Sequence, residues 1–213
     1  MSEPKSRART IERVSPDILN WHLQDERIGS RGDAYAVLQG KRSVLIDPLP
    51  LTDTALAELG AVEAICLTGS CHQRSAWRYR TRFGVKVHAP EGAEGLDETP
   101  DAWYVAGGLL PGGLEAVHAP GPTEVHFALH LPRGDGVLFC ADVLVRDGDR
   151  LHFVPDEYQD APAVTRDTAR RFLDLRFGVL CCSHGGALTR DPHAAIKRLL
   201  EEEGRPKGGR KGR

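Results

Sequence analysis

The chain lacks any apolar run of the roughly 20 residues that a membrane-spanning helix requires. No apolar segment follows its early basic residues, so we expect no secretory leader. Its charges nearly cancel, at a formal net charge of -2, which gives no electrostatic case for a polyanionic partner. Its five cysteines are an odd number, which favours free thiols in a reducing compartment. These absences predict a cytoplasmic protein that binds neither membranes nor nucleic acids.

The composition that is present is that of a globular protein, with 40% apolar and 27% charged residues. A chain of 213 residues can bury one sizeable core, so a single domain is the default. The C-terminal end is basic and rich in glycine, and the N-terminal end carries a smaller basic cluster. We therefore predict a disordered tail over residues 1–10, one domain over residues 11–204 and a basic disordered tail over residues 205–213.

Strand and helix patterns alternate through the first half of the chain. Residues 34–38 and 43–46 flank a short polar turn and predict a hairpin. Apolar spacing predicts helices over residues 52–59 and 72–83, each stopped by a glycine. A final helix is expected within residues 191–204, capped by an aspartate and ended by a glycine. This order favours layers of helix on sheet.

A polar turn after a buried apolar segment is the feature on which the functional interpretation depends. Residues 64–67 form a short apolar run that ends at Thr68, which favours a buried strand over a helix. Cys71, His72 and Arg74 follow, and they should lie at the carboxyl edge of that strand. In layered folds this edge is where ligands bind, because the loops there leave a crevice above a rigid sheet.

Two later apolar runs also end in residues that can carry chemistry. Residues 137–141 lead into Asp142, and residues 179–182 are followed by Ser183 and His184. Taken alone, each has an ordinary structural interpretation, namely a buried carboxylate that accepts amide hydrogens and a hydrogen-bonded histidine. Their functional interpretation depends on the order of the segments along the whole chain.

That order resembles the metallo-β-lactamase superfamily, in which a strand ending in Thr is followed by the metal-binding motif H-x-H-x-D-H. With Thr68 as the anchor, the four ligand positions of the motif fall on Gly69, Cys71, Gln73 and Arg74. Of these, only the Cys71 sulfur could bind Zn²⁺, as a thiolate. A divergent branch is more similar, with an Asp-His pair and a following Arg; here Cys71-His72 stands at the pair and Arg74 matches the Arg.

The resemblance extends into the second half of the chain. The family motif H-T-P-G-H-T corresponds to H-A-P-G-P-T, which begins at His118 and has Pro122 in place of the metal-binding second His. The family ending L-F-x-G-D corresponds to the run that ends in Asp142, and its late His beside Gly corresponds to His184. The resemblance implies an α+β fold, a metallo-β-lactamase-like four-layer αββα sandwich, with only two usual ligands retained.

The implied function is that of a hydrolase homologue with a degraded metal site. Asp142 and His184 are the implied catalytic residues. The implied metal set is Cys71, His72, Asp142 and His184, whose mixed donors suit Zn²⁺ or Fe²⁺. We expect either no cofactor or one such ion, and a small-molecule ligand or substrate. The sequence leaves the identity of this molecule and the oligomeric state open.

A second hypothesis is a metal-free, non-catalytic descendant that binds a ligand or protein through the same crevice. Here the Arg74 guanidinium pairs with Asp142 and replaces the charge of the missing cation. Arg74 and His118 are the residues predicted to contact the ligand. A third hypothesis, ranked last, is a metal-free hydrolase in which Cys71 is the nucleophile and His72 or His184 the base.

Three further polar residues are predicted to be structural. Asp47 directly follows a strand, and we interpret it as a turn residue whose carboxylate accepts backbone amides. His126 and His130 alternate with apolar residues over positions 125–131, which is the period of a half-exposed strand. We therefore expect both histidines at the surface.

Overall fold

The computed structural model describes residues 3–204, whose strands form two large sheets and one small hairpin. The first sheet has seven strands in chain order: β1 (Glu12–Ser15), β2 (Ile18–Asp25), β3 (Ser30–Gln39), β4 (Arg42–Ile46), β5 (Ala61–Cys66), β6 (Lys86–Pro90) and β7 (Ala102–Tyr104). Neighbours from β1 to β4 are antiparallel, and neighbours from β4 to β7 are parallel. The predicted hairpin is therefore the β3–β4 pair.

The second sheet has six strands in the order β15-β14-β11-β10-β9-β8. Their bounds are β8 (Leu109–Leu110), β9 (Leu114–His118), β10 (Phe127–Leu131), β11 (Val137–Ala141), β14 (Val179–Cys182) and β15 (Gly186–Leu188). The small hairpin consists of β12 (Val145–Asp147) and β13 (Arg150–His152). β11 and β14 are parallel neighbours, so both end at the same edge of the sheet.

Four helices flank the sheets: α1 (Asp53–Leu56), α2 (Ala76–Phe83), α3 (Pro162–Phe172) and α4 (Pro192–Glu203). α4 has the predicted cap, because the Asp191 carboxylate accepts the Ala194 N–H at 3.2 Å. The helix predicted over residues 72–83 begins only at residue 76. Residues 70–72 form a separate 3-10 turn, and Arg74 interrupts the helical path with a φ of 37°.

Three apolar clusters separate four layers. The first lies between the first sheet and the helices α1 and α2, where Tyr79 is fully buried. The second lies between the sheets, where the rings of Tyr35 and Phe139 meet edge to face at 5.5 Å. The third lies between the second sheet and the helices α3 and α4, with Phe172 and Ile196 buried. The predicted αββα sandwich is confirmed.

Backbone hydrogen bonds join the two sheets at the edge where β5, β11 and β14 end. The Phe127 N–H donates to the Thr68 carbonyl at 2.9 Å, and the Asp33 N–H donates to the Ser183 carbonyl at 2.8 Å. Because each bond links the first sheet to the second, the loops that follow these strands are held close together. This edge is where the candidate site lies.

The prediction that His126 and His130 are exposed is wrong. His126 has no exposed surface, and His130 is 6% exposed. β10 is an inner strand with both faces covered: Leu129 contributes to the cluster between the sheets, and Ala128 contributes to the cluster under α3 and α4. An alternating pattern therefore marks two different buried environments here, and it does not mark an exposed face.

The chain packs onto the domain before residue 11, earlier than the expected end of the N-terminal tail. Ala8 is 5% exposed, and its N–H donates to the Pro50 carbonyl at 2.8 Å. The Lys5 N–H donates to the Glu26 carboxylate at 2.6 Å. The predicted tail over residues 205–213 lies outside the described residues. Within residues 3–204, no helix has the length and apolar character needed to cross a membrane.

Candidate metal centre

Donor atoms from both sheets converge at this edge. The Cys71 sulfur, a ring nitrogen of His72 and a carboxylate oxygen of Asp142 all lie within 4.8 Å of one another. His184 Nε2 lies 3.5 Å from Asp142 Oδ1. The structure therefore groups three of the four residues that the sequence predicted as metal ligands, Cys71, His72 and Asp142, and it places His184 beside Asp142 but outside that group.

His72 is held from behind by a carboxylate and a hydroxyl. The Thr68 hydroxyl donates to Asp47 Oδ2 at 2.6 Å, so its oxygen is left to accept the Nδ1–H of His72 at 2.7 Å. Asp47 Oδ1 also accepts the Thr68 N–H at 2.8 Å. This chain of bonds directs His72 Nε2 toward Asp142 Oδ2, which is 3.1 Å away.

Asp142 directly follows Ala141, the last residue of β11, whose backbone is strained. Ala141 has a φ of 49°, in the left-handed region that favours glycine, where the family motif has Gly. The turn sends the Asp142 carboxylate between His72 and His184. Its Oδ1 atom is buried and accepts no well-formed hydrogen bond from any described residue. A bound cation would supply the partner that a buried carboxylate oxygen without a hydrogen-bond donor lacks.

His184 is oriented by the first sheet. Its Nδ1 lies 2.5 Å from the Arg31 carbonyl oxygen. Because a carbonyl oxygen only accepts, Nδ1 carries a hydrogen, and Nε2 is the atom that faces Asp142. The two histidines therefore present the same ring nitrogen to the carboxylate.

Cys71 is the exposed member of the cluster. Its Sγ lies 4.0 Å from Asp142 Oδ2, and among the described residues its thiol has no hydrogen bond to an imidazole. The other four cysteines, Cys66, Cys140, Cys181 and Cys182, are buried free thiols. The arrangement needed for the thiol hydrolase hypothesis, with a histidine base bonded to the Cys71 thiol, is not formed.

Arg74 does not pair with Asp142 as the metal-free hypothesis expected. It is 5% exposed, and its Nη1 donates to the carbonyls of Asp33 at 2.8 Å and Asp47 at 3.1 Å. The left-handed backbone at Arg74 directs the guanidinium toward the ends of β3 and β4. His72 takes the place beside Asp142 instead.

His118, the other residue predicted to contact a ligand, is exposed at the end of β9. Its Nε2 lies 3.2 Å from the Glu124 carbonyl, and its ring lies 5.2 Å from the ring of Phe127. It does not belong to the donor cluster.

Opposite charges shift the pKa values of His72 and Asp142 in opposite directions. Burial acts to lower the pKa of His72, but its acidic neighbours, with Asp142 the strongest, together outweigh burial and raise this pKa well above its ordinary value. Burial acts to raise the pKa of Asp142, but the charge of His72 and the contact with His184 hold it well below its ordinary value. Without a metal ion, the pair is therefore an imidazolium and a carboxylate.

These donors fit a divalent transition metal. They comprise one sulfur, two imidazole nitrogens and a carboxylate, which are the ligand types of Zn²⁺ and Fe²⁺ sites. Each imidazole is bonded through Nδ1 to an oxygen acceptor, as in most protein metal sites, where such partners set the ring orientation and the basicity of the other nitrogen. A metal at Nε2 of His72 would displace the proton shared with Asp142.

A sandwich of two mixed sheets between two helical layers, with donors gathered at one edge, defines the αββα class. Residues 9–201 match a family model described as the metallo-beta-lactamase superfamily. The chain therefore belongs to this superfamily. No curated protein matches it.

Solved structures of the same fold share little sequence with the chain. TMB-1 is 14% identical with a TM-score of 0.72, covering 94% of this chain and 100% of its own. A metallo-beta-lactamase from Pontibacter korlensis is 19% identical with a TM-score of 0.70, covering 90% and 98%. FIM-1 from Pseudomonas aeruginosa, solved in a mono-zinc form, is 15% identical with a TM-score of 0.67, covering 97% and 100%. At these identities the likeness shows the fold alone.

Two residues of the site were missed or undervalued from sequence. Asp47 was assigned to a turn; its carboxylate does accept a backbone amide, but it also supports His72 through Thr68. The available signal was the position of Asp47, which directly follows a strand in the same half of the chain as His72. His126, whose ring nitrogen accepts the Asp142 N–H, was hidden by the alternating pattern of β10.

Proposed function

We propose that this protein is a single-metal hydrolase in which Cys71, His72, Asp142 and His184 hold one Zn²⁺ or Fe²⁺. The observation that supports it is the group formed by Cys71, His72 and Asp142, together with the position of His184, so that both histidines present Nε2 to one carboxylate. A chance cluster would not require both Nδ1 atoms to be bonded to oxygen acceptors. Gln73 and Arg74, at two positions that hold metal ligands in the family motif, donate to the carbonyls of Gly95 and Asp33, so neither contributes to a second metal site.

Asp142 and His184 are the proposed catalytic residues. A bound divalent metal supplies Lewis acidity, which lowers the pKa of water toward neutrality and polarises the bond to be cleaved. Asp142 would bind the metal through one carboxylate oxygen, and its other oxygen would orient an attacking water and receive its proton. The His184 side chain is 20% exposed and its Nε2 lies 3.5 Å from Asp142 Oδ1, so it can reach both the carboxylate and a bound substrate.

The proposed substrate is a small molecule that enters from the exposed side of the cluster. Cys71 and His118 are both exposed, whereas Arg74 is buried and donates to backbone carbonyls. His118 is therefore the stronger candidate for substrate contact. The superfamily fold supports several hydrolytic reactions, so the bond cleaved has to be found by a substrate screen.

A second candidate is the metal-free binding protein, and one observation favours it. His72 and Asp142 form an ion pair that satisfies both groups without a cation. The positive charge that this hypothesis assigned to Arg74 would then come from the His72 imidazolium. Such a protein would bind a ligand through the crevice and would not depend on metal.

Zinc titration of metal-free protein separates the two candidates. The protein competes with a chromophoric chelator for Zn²⁺, and one equivalent should bind. Asp142→Ala and His184→Ala should each weaken binding by more than about 100-fold, since even outer partners of a metal contribute roughly 10- to 100-fold. Asp135→Ala, which removes an almost fully exposed carboxylate, is the matched control. Absence of stoichiometric binding by the wild-type protein would overturn the hydrolase and leave the binding protein.

A further inference from the structure

A buried histidine outside the donor cluster contacts Asp142 from the backbone side. His126 immediately precedes β10 and has no exposed surface. The Asp142 N–H points at its Nε2, 3.2 Å away, and its Nδ1 lies 2.9 Å from the Ala119 carbonyl. Both ring nitrogens are therefore engaged by backbone groups on opposite sides.

These contacts define the tautomer of His126. A backbone amide can only donate, so Nε2 must be the unprotonated nitrogen and accept. The Ala119 carbonyl can only accept, so Nδ1 carries the hydrogen and donates. A neutral ring is the only form that makes both bonds, and burial correspondingly lowers the pKa of His126 to about 4. With both nitrogens committed, His126 is not available as a metal ligand.

The hydrogen bond from the Asp142 N–H to His126 lies next to a residue with a strained backbone. Ala141 has a φ of 49°, which its side chain disfavours, and the turn takes the Asp142 N–H out of the ladder of β11. The imidazole supplies the acceptor that this amide would otherwise lack in a partly buried position. The direction of the Asp142 side chain, between His72 and His184, depends on this turn.

We propose that His126 is a positioning residue, which holds Asp142 in the orientation required to bind the metal. This inference rests on the proposed metal centre. The ring of His126 also packs edge to face against the ring of His72, with centroids 6.5 Å apart, so it borders two of the proposed ligands without being one.

The test compares His126→Gln with His126→Met. The two side chains are nearly equal in size, but only glutamine carries a terminal oxygen that can accept the Asp142 N–H. Zinc affinity is measured by competition with a chromophoric chelator. We expect His126→Gln to stay within about threefold of wild type and His126→Met to lose roughly 10- to 100-fold, the range of other outer partners. His130→Met removes a second buried histidine of the same segment, which contacts Arg176, and should leave zinc affinity unchanged.

A second readout needs no metal. Hydrogen exchange of the Asp142 amide, followed by NMR in metal-free protein, should be slow in wild type and His126→Gln and fast in His126→Met. Equal zinc affinities for the glutamine and methionine variants, or equal exchange rates, would overturn the inference. If the wild-type protein bound no zinc, the proposed function would fail, and the exchange rates would still decide whether His126 holds Asp142.

Discussion

His72 Nε2 lies 3.1 Å from Asp142 Oδ2, which pairs a residue from the loop after β5 with a residue that follows β11 in the other sheet. Each member has its own support: Thr68 and Asp47 lie behind His72, and His126 lies behind Asp142. The site is therefore ordered without a ligand. Preorganisation of this kind is what a metal centre requires, because its ligands must meet at one point.

The Thr68 hydroxyl links Asp47 to His72, and its removal should be costly. Thr68→Val keeps the shape of the side chain but removes the hydroxyl that bonds both groups, which leaves only the direct contact of 3.2 Å between His72 Nδ1 and Asp47 Oδ2. We expect a loss of about 1–3 kcal/mol in the free energy of unfolding, measured by urea denaturation. Thr81→Val is the control, because the Thr81 hydroxyl donates to the Trp77 carbonyl within α2, away from the site. Equal losses for both variants would contradict the role of Thr68.

Two glycines in the turn between β10 and β11 provide a matched pair. Gly134 and Gly136 both have positive φ, of 63° and 79°. A Cβ on Gly134 would meet no atom within 4 Å, whereas a Cβ on Gly136 would lie 2.2 Å from the Arg176 carbonyl oxygen. Gly134→Ala should cost about 1 kcal/mol of stability for its backbone conformation alone, and Gly136→Ala at least twice as much. Similar unfolding midpoints for the two variants would show that the contact with Arg176 is unimportant.

The fold was more predictable from sequence than the site, for a physical reason. Strand ends, helix caps and apolar periodicity are local, and they indicated the β3–β4 hairpin, the cap at Asp191 and layers of helix on sheet. The four-layer order came from the resemblance to the superfamily. Contacts across the two sheets are not local. The position of Arg74 illustrates this: its sequence neighbours suggested the crevice, but its left-handed backbone directs the guanidinium to the carbonyls of Asp33 and Asp47.

The alternating histidines show a second limit of sequence interpretation. A period of two distinguishes the faces of a strand but does not show what covers each face. Because the second sheet is covered on both sides, His126 and His130 are buried, and each has one ring nitrogen at hydrogen-bond distance from a backbone carbonyl. Their burial could be predicted only by knowing that the helices α3 and α4 cover the far side of β10.

Asp25 lies away from the site, and its ionisation should make the stability of the protein depend on pH. Burial acts to raise its pKa, but hydrogen bonds and the charge of Arg27 outweigh this, so the pKa lies below its ordinary value. A lowered folded-state pKa stabilises the protein above the unfolded value of about 4, and this contribution is lost as the pH falls through the folded value. Asp25→Asn should therefore cost about 1–2 kcal/mol at pH 7 and progressively less below pH ~4.

The measurement for Asp25 is urea unfolding of wild type and variant over a series of pH values. Asp17→Asn is the control, since Asp17 is about half exposed and its ion pair with Arg133 is long, at 3.3 Å. A difference between wild type and Asp25→Asn that stayed constant down to acid pH would contradict the assignment of the stabilising charge to Asp25.

The cysteines should differ sharply in reactivity. Cys71 is exposed, whereas the other four are buried, and burial raises the pKa of the Cys66, Cys140 and Cys181 thiols. A thiol reagent at neutral pH should therefore modify one cysteine rapidly in the folded protein and none in Cys71→Ser. Bound Zn²⁺ should slow the reaction at Cys71. Rapid labelling of two or more thiols, or no effect of zinc, would count against the assigned burial or the assigned ligand.

Cobalt titration of the metal-free protein tests the metal centre most directly, because the absorption spectrum of Co²⁺ reports both the geometry and the identity of its ligands. The proposed set of Cys71, His72, Asp142 and His184 predicts saturation at one equivalent, with a thiolate charge-transfer band in the near ultraviolet. That band should disappear in Cys71→Ser, and saturable binding should disappear in Asp142→Ala. A wild-type protein with no saturable cobalt spectrum would contradict the account, as would a thiolate band that persisted without Cys71.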